Sequence, residues 1–212
     1  KIISTFFVTG ILGLLISTIY LVKDSHHFYF SYLNSFTFYL TLTLGGMFIV
    51  LLSFLTRSGW NVVIRRVPEH LMKNVGIMAF FCIPIFFGMH DLYHWTHLED
   101  VLNDHILQGK RPYLNIAFFV LRIFVYFGVW AWISRTFFNK SIEQDESGDP
   151  EITLSLQKKS TYSMILFALT LSFASIDFVM SLTPHWYSTI FGVYIFAGAV
   201  LVAFTVTSLV YM

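Results

Sequence analysis

The sequence predicts an all-α integral membrane protein, a polytopic bundle of about six transmembrane helices. Two observations carry that expectation. Of 212 residues, 56% are hydrophobic and only 12% charged, against roughly 45 to 50% and 25% in a soluble domain, and the mean hydropathy is +0.69. Six stretches also reach the ~20 mostly apolar residues that a bilayer-spanning helix needs: 2–22, 36–56, 74–95, 113–137, 161–182 and 188–212. The same arithmetic excludes other classes. Thirteen Lys and Arg against twelve Asp and Glu, scattered rather than striped, leave nothing to attract nucleic acid. The single cysteine, Cys82, lies in an apolar run, which excludes a disulfide framework, a Cys-ligated iron–sulfur cluster and a CxxCH haem attachment. We therefore expect no redox cofactor bound by this chain itself.

Taken in order, the first stretch reads as a span and not a cleaved signal, because apolar segments recur to the last residue. The second carries Thr41, Thr43, Gly45, Gly46 and Ser53; small residues permit close helix contact, and the hydroxyls equally offer a path for water. Segment 61–72 mixes Val62, Val63, Ile64, Val67, Leu71 and Met72 with Arg65, Arg66, Glu69 and His70, the pattern of a helix lying at the membrane surface, though Pro68 interrupts it. In the third span Pro84 predicts a kink that frees the Phe80 carbonyl, which in lipid must find a neighbour or an ordered water. The fourth contains Arg122. Residues 138–160, with Glu143, Asp145, Glu146, Gly148, Asp149 and Pro150, read as a mobile acidic loop. The fifth span holds Asp177, and the sixth opens behind Ser188 and Thr189. The expected organisation is a first four-helix bundle (1–137), an acidic cytoplasmic loop (138–160) and a last pair of helices (161–212) beginning a second bundle. A start at Lys1 and an end inside an apolar run lead us to expect a piece of a longer subunit.

Orientation follows from the positive-inside bias. Lys1, Arg57, Arg65, Arg66, Lys73, Arg135, Lys140, Lys158 and Lys159 fall on one side, and Lys23, Lys110 and Arg111 on the other. That distribution puts the N-terminus in the cytoplasm, with Trp60, Trp130 and Trp132 near the inner interface and Trp95 and Trp186 near the outer one. Seven of the eight histidines, all but His70, are on the outer side, which suits proton exchange there.

Ionisable groups within spans cost on the order of 2.5 to 3.5 kcal/mol each and mark pathways or pairs. At ~1.5 Å per residue, His90 and Asp177 would lie roughly 8 Å, and Arg122 roughly 14 Å, below the outer ends of their helices. With Asp91 and His94 they are expected to share one interior chamber, Arg122 neutralised by Asp177 or Asp91. Whether such a pair only fixes packing or moves protons stays open. The candidates for a proton pathway or quinone site are Asp177, Arg122, His90, Asp91, His94, His185 and Tyr126. His90, His94 and His97, spaced four and three, would align on one helical face, where a metal would still need further ligands and a second shell.

The sharpest stretch runs from Asp177 through Thr183-Pro184-His185-Trp186-Tyr187-Ser188-Thr189 to Gly192 and Tyr194. It resembles the integral-membrane subunits of bacterial alternative complex III, a quinol:cytochrome c or oxidase oxidoreductase, within the wider NrfD and polysulfide-reductase membrane-subunit family. Gly59-Trp60, Arg65-Arg66-Val67-Pro68-Glu69 and His94-Trp95 resemble its ActF-type subunit. The resemblance implies four-helix bundles in a bacterial inner membrane and partner subunits carrying haem c and iron–sulfur clusters. It also implies a homologous quinol-binding membrane subunit, and a terminal oxidase is a further partner it allows. The function so implied is a non-redox scaffold and proton route coupled to quinol oxidation. A pocket on this chain, with His90 or His94 taking the quinol proton and Asp177 relaying it, is the second reading, and a transporter the third. Phe178 stands where the family pattern has tryptophan, and six spans stand where related subunits have about ten.

Overall fold

The computed structural model describes residues 2–59 and 62–212, so Lys1 and Trp60, which enter the orientation argument, lie outside the described residues. Regular structure among the described residues is helical throughout. Five helical stretches are long and apolar enough to cross a membrane: Ser25–Leu55, Arg66–Phe87, Ile116–Ser147, Pro150–Leu182 and Phe191–Tyr211. The chain is a multi-pass membrane protein. The first expected span is helix α1 (Ile2–Lys23), which packs along α2 (Ser25–Leu55). α2 starts eleven residues before the expected span because its polar first turns, too hydrophilic to count as apolar, are helical all the same. Asp24 caps them, accepting from the His27 amide at 3.0 Å and so satisfying an orphan N–H.

The third span is built from short pieces: α3 (Arg66–Lys73), α4 (Val75–Phe81), α5 (Ile83–Phe87) and α6 (Met89–Leu92). The expected surface segment 61–72 is corrected here, since from Arg66 onward it forms the first turns of the span, with Pro68, Glu69 and Met72 buried. Pro68 does not interrupt it. It occupies the first turn, where the missing N–H has no intrahelical partner to lose. The break at Pro84 does form. Ile85 N–H reaches back only to Cys82 O at 3.1 Å, and the carbonyl that a neighbour satisfies is that of Phe81, one residue beyond the expected one, which accepts from the Tyr32 hydroxyl at 2.7 Å. Tyr32→Phe is expected to leave that carbonyl unpaired and cost about 1–2 kcal/mol, read as a lower unfolding midpoint in detergent; an unchanged midpoint would mean the kink is held by Pro84 alone.

After a 3-10 turn (His94–Thr96), α7 (Leu98–Asn103) and α8 (His105–Lys110) cover one end of the bundle, and α9 (Ile116–Ser147) returns through it. Contrary to the expected mobile loop, residues 138–160 are almost entirely helical: α9 continues to Ser147 and α10 (Pro150–Phe178) starts two residues after Gly148. Gly148, at φ +67°, ends α9 in the left-handed conformation that glycine adopts without strain. Asp149 then accepts from the Glu151 amide at 2.9 Å, with Pro150 at the first helical position. Composition reads as disorder there, but the stop and start signals are adjacent, and Phe138, Ile152 and Leu156 on the flanking helices belong to the hydrophobic core. Ser141 is buried as well.

A 3-10 turn (Met180–Leu182) leads towards α11 (Phe191–Tyr211), which packs on α2. The approach is close: a Cβ on Gly45 would sit 2.0 Å from the Ala199 carbonyl oxygen, so glycine is required. Phe48 of α2 meets Phe167 of α10 and Phe196 of α11, with centroids at 6.3 and 4.7 Å. The last pair of helices therefore shares one core with α2 and α9, and packing draws no line between a first bundle and a second.

Candidate functional site: a buried arginine–aspartate–tyrosine clamp

Asn115 caps α9 by accepting from the Phe118 amide at 2.9 Å, which fixes the helix so that Arg122 and Tyr126, four residues apart, face α10 together. Asp177 meets them from the last turn of α10. Arg122 donates from Nε to Oδ2 at 2.7 Å and from Nη2 to Oδ1 at 2.9 Å, while the Tyr126 hydroxyl donates to Oδ2 at 2.6 Å. The third guanidinium nitrogen, Nη1, donates to the Tyr113 carbonyl at 2.9 Å. The guanidinium carbon lies 3.9 Å from the Tyr113 ring centroid and 4.4 Å from that of Phe118. Asp177 is 0% exposed and Arg122 8%. A forked, two-bond ion pair with a third donor is a strong form of buried charge pairing. Beside Asp177, Phe178 packs on Phe36 and Phe119, and the third donor to the carboxylate is the Tyr126 hydroxyl.

The same helix end is tied off on its backbone. Ser181 donates to the Asp177 carbonyl at 2.6 Å, and the buried Tyr93 hydroxyl to that of Phe178 at 3.1 Å. Two of the last α10 carbonyls, which would otherwise be orphaned in lipid, are thus paired.

The third-span groups do not join this cluster, and the expectation of one chamber shared by five residues is corrected. His90 and His94 are exposed and Asp91 is half-buried, and among the described residues no hydrogen bond or ion pair links them to Arg122 or Asp177. The cause is local. α6, one turn long, buries Met89 and Leu92 and leaves His90 outside; Tyr93 is then extended at φ −118° and ψ 109°, and the 3-10 turn after it resets the register. Tyr93 and Trp95 take the buried positions, and His94 turns outward. The common helical face for His90, His94 and His97 fails for the same reason. Instead, the chain folds back so that His97 Nε2 lies 2.9 Å from the His90 carbonyl oxygen.

His185 is likewise outside the clamp. Its Nε2 pairs with Asp104 Oδ2, Lys110 donates to the Pro184 carbonyl, and together they fasten the corner after α10 to α7 and α8. Although burial works the other way, hydrogen bonds from the Ile106 and Leu107 amides and from His185 hold the Asp104 carboxyl below its ordinary value. A depressed carboxyl stabilises the fold above its unfolded pKa, about 3.9, and that contribution is lost as pH falls through the lower folded value. Loosening of this corner in acid, followed by hydrogen exchange of the residues around Ile106, is the expected result; an Asp104→Asn variant with the same acid profile would contradict it.

A second buried charge cluster escaped the sequence reading. Glu69, 0% exposed, receives Arg65 Nε at 2.9 Å, Arg66 Nη1 at 2.8 Å and the Ser141 hydroxyl at 2.7 Å, and Arg66 also pairs with Asp145. Arg65 lies over the Phe54 ring, 4.9 Å from its centroid. The signal was present: both arginines precede Glu69 at helical spacings of four and three, hidden by reading 61–72 as surface-lying.

Fold and site together define a multi-pass α-helical membrane protein whose helices are cross-linked near each end by a buried ionic cluster. No family model matches the chain, and no curated protein is found similar to it.

Proposed function

We propose that the chain is a non-redox membrane subunit of a quinol-oxidising respiratory complex of the alternative complex III type, acting as a scaffold. Its helices would stand in a bacterial inner membrane, N-terminus inside. The observation that carries this reading is the clamp itself. Asp177, the acid at the head of the resembling stretch, is saturated by three donors and remote in bonding from the histidines, an arrangement suited to fixing α9 against α10. A proton carrier needs a carboxylate that can exchange with water or with a titrating neighbour. The partners this reading calls for carry haem c and iron–sulfur clusters, alongside a homologous quinol-binding subunit and a terminal oxidase. Affinity purification of the tagged chain from its native membrane, in mild detergent, is the test. Co-purifying haem c absorbance and iron–sulfur polypeptides are expected, and a haem-free preparation from membranes that contain such subunits would overturn the assignment.

Quinol binding by this chain, the second reading, is favoured by one observation, and it lies away from His90. A cavity of about 500 Å³ between α1, α2 and the broken third span is lined by Phe28, Tyr32, Phe36, Tyr39, Met78 and Phe81 together with Ser17, Ser31 and Ser35, mostly apolar with a few polar groups, as ligand pockets are. A photoreactive quinone should label peptides holding Tyr32 or Phe81; labelling confined to other subunits would remove this reading.

A further inference from the structure

We propose that His94, His97 and Asp100 form a binding site for a divalent transition-metal ion, of the zinc(II) or copper(II) type, on the connection between the third span and α7. The ligand atoms of the three side chains all lie within 4.8 Å of one another. His97 Nδ1 and Asp100 Oδ2 are 3.0 Å apart, close to the ~3.3 Å separation of two ligands around tetrahedral zinc. Two imidazoles and one carboxylate suit such ions better than calcium or magnesium, which prefer all-oxygen shells.

A second observation fixes how His97 is presented. Its Nε2 lies 2.9 Å from the His90 carbonyl oxygen and 3.1 Å from His90 Nδ1, so that edge of the ring is held by His90, and Nδ1 is the atom turned towards the Asp100 carboxylate. A metal ion uses all three groups. The backbone bond from Nε2 is also the support that metal-ligating histidines commonly have, fixing tautomer and ring orientation. The ring of His90, tilted by 42° with its centroid 4.0 Å from that of His97, lies on the Nε2 side of His97 and does not ligate. His94 and Asp100 are exposed and His97 half-buried, so an ion can enter directly from solvent, and a fourth position stays open to water. None of these residues takes part in the function proposed above, so the two proposals stand or fall separately.

The test uses the full chain, chelator-treated and titrated in detergent with zinc(II) alone, and with copper(II) for spectroscopy. One zinc(II) per chain is expected, bound about 100-fold more weakly by His97→Ala and at least tenfold more weakly by Asp100→Asn and by His94→Ala. His90→Ala, which keeps the backbone carbonyl, should stay within tenfold of the unaltered chain. Copper(II) resonance spectra should show two coupled imidazole nitrogens that His94→Ala reduces to one. Undiminished binding in the His94→Ala and His97→Ala variants would place the ion elsewhere and overturn the proposal, as would no binding by the unaltered chain. Because these side chains lie outside the core, unchanged circular dichroism is expected to show that every variant folds.

Discussion

Arg122→Leu is expected to lower stability by about 3–5 kcal/mol, the range for removing one partner of a buried ion pair. The loss is large because Asp177 has no route to water: it is 0% exposed, and without the guanidinium only the Tyr126 hydroxyl still donates to it. The Tyr113 carbonyl loses its donor in the same step. The measurement is the unfolding midpoint of the purified protein. Charge, and not mere volume, is tested by a double change. Arg122→Leu combined with Asp177→Leu removes both charges, so it should recover most of the loss, as apolar replacements of buried pairs often do. A single variant as stable as the original, or a double variant no better than the single, would show that the clamp is not what holds α9 to α10. Asp177→Asn separates scaffold from proton carrier. On the scaffold reading proposed above, it should reduce assembly of that complex while leaving turnover per assembled complex unchanged, whereas normal assembly with lost turnover would make Asp177 part of the chemistry.

How much of this was legible beforehand depended on whether a feature is set by period and composition or by where a helix stops. Helical class and approximate spans follow from apolar runs, and the pairing of Arg122 with an acid, Asp177 or Asp91, follows from the cost of leaving a charge alone in lipid; the structure selects Asp177. The break at Pro84 is likewise written in a single residue. What the sequence did not reveal lay at boundaries. Reading the span as continuous helix to residue 95 placed His90 and His94 inside, but the one-turn α6 buries Met89 and Leu92, and the extended Tyr93 after it puts Tyr93 and Trp95 in the core. Reading 138–160 by composition gave a loop, yet Gly148, Asp149 and Pro150 are an adjacent C-terminal stop and N-terminal cap that join two long helices. The Glu69 cluster needed both corrections: Arg65 and Arg66 had to belong to a span, and Ser141 to a helix that continues past the membrane.

That cluster gives the second large effect. Glu69→Ala is expected to cost about 2–4 kcal/mol, less than the loss at Arg122, although Glu69 is as deeply buried as Asp177. The difference lies in the groups left behind. Arg122 without its partner, or Asp177 without Arg122, is enclosed, while the side chains of Arg65 and Arg66 are 15% and 36% exposed and can turn their guanidinium groups towards water. Arg66 also retains Asp145. The penalty therefore falls mainly on Ser141, which loses its acceptor, and on the lost link between α3 and α9, with desolvation of two free arginines contributing less than for an enclosed charge. Glu69→Gln keeps an acceptor for Ser141 and should recover about half. Thermal unfolding of the three proteins side by side decides the point. If Glu69→Ala proved as costly as Arg122→Leu, the arginines would have to be as sealed from water as Asp177 is. If it cost nothing, the contact between α3 and α9 would rest on other pairs, such as the Ser134 hydroxyl on the Met72 carbonyl at 3.1 Å.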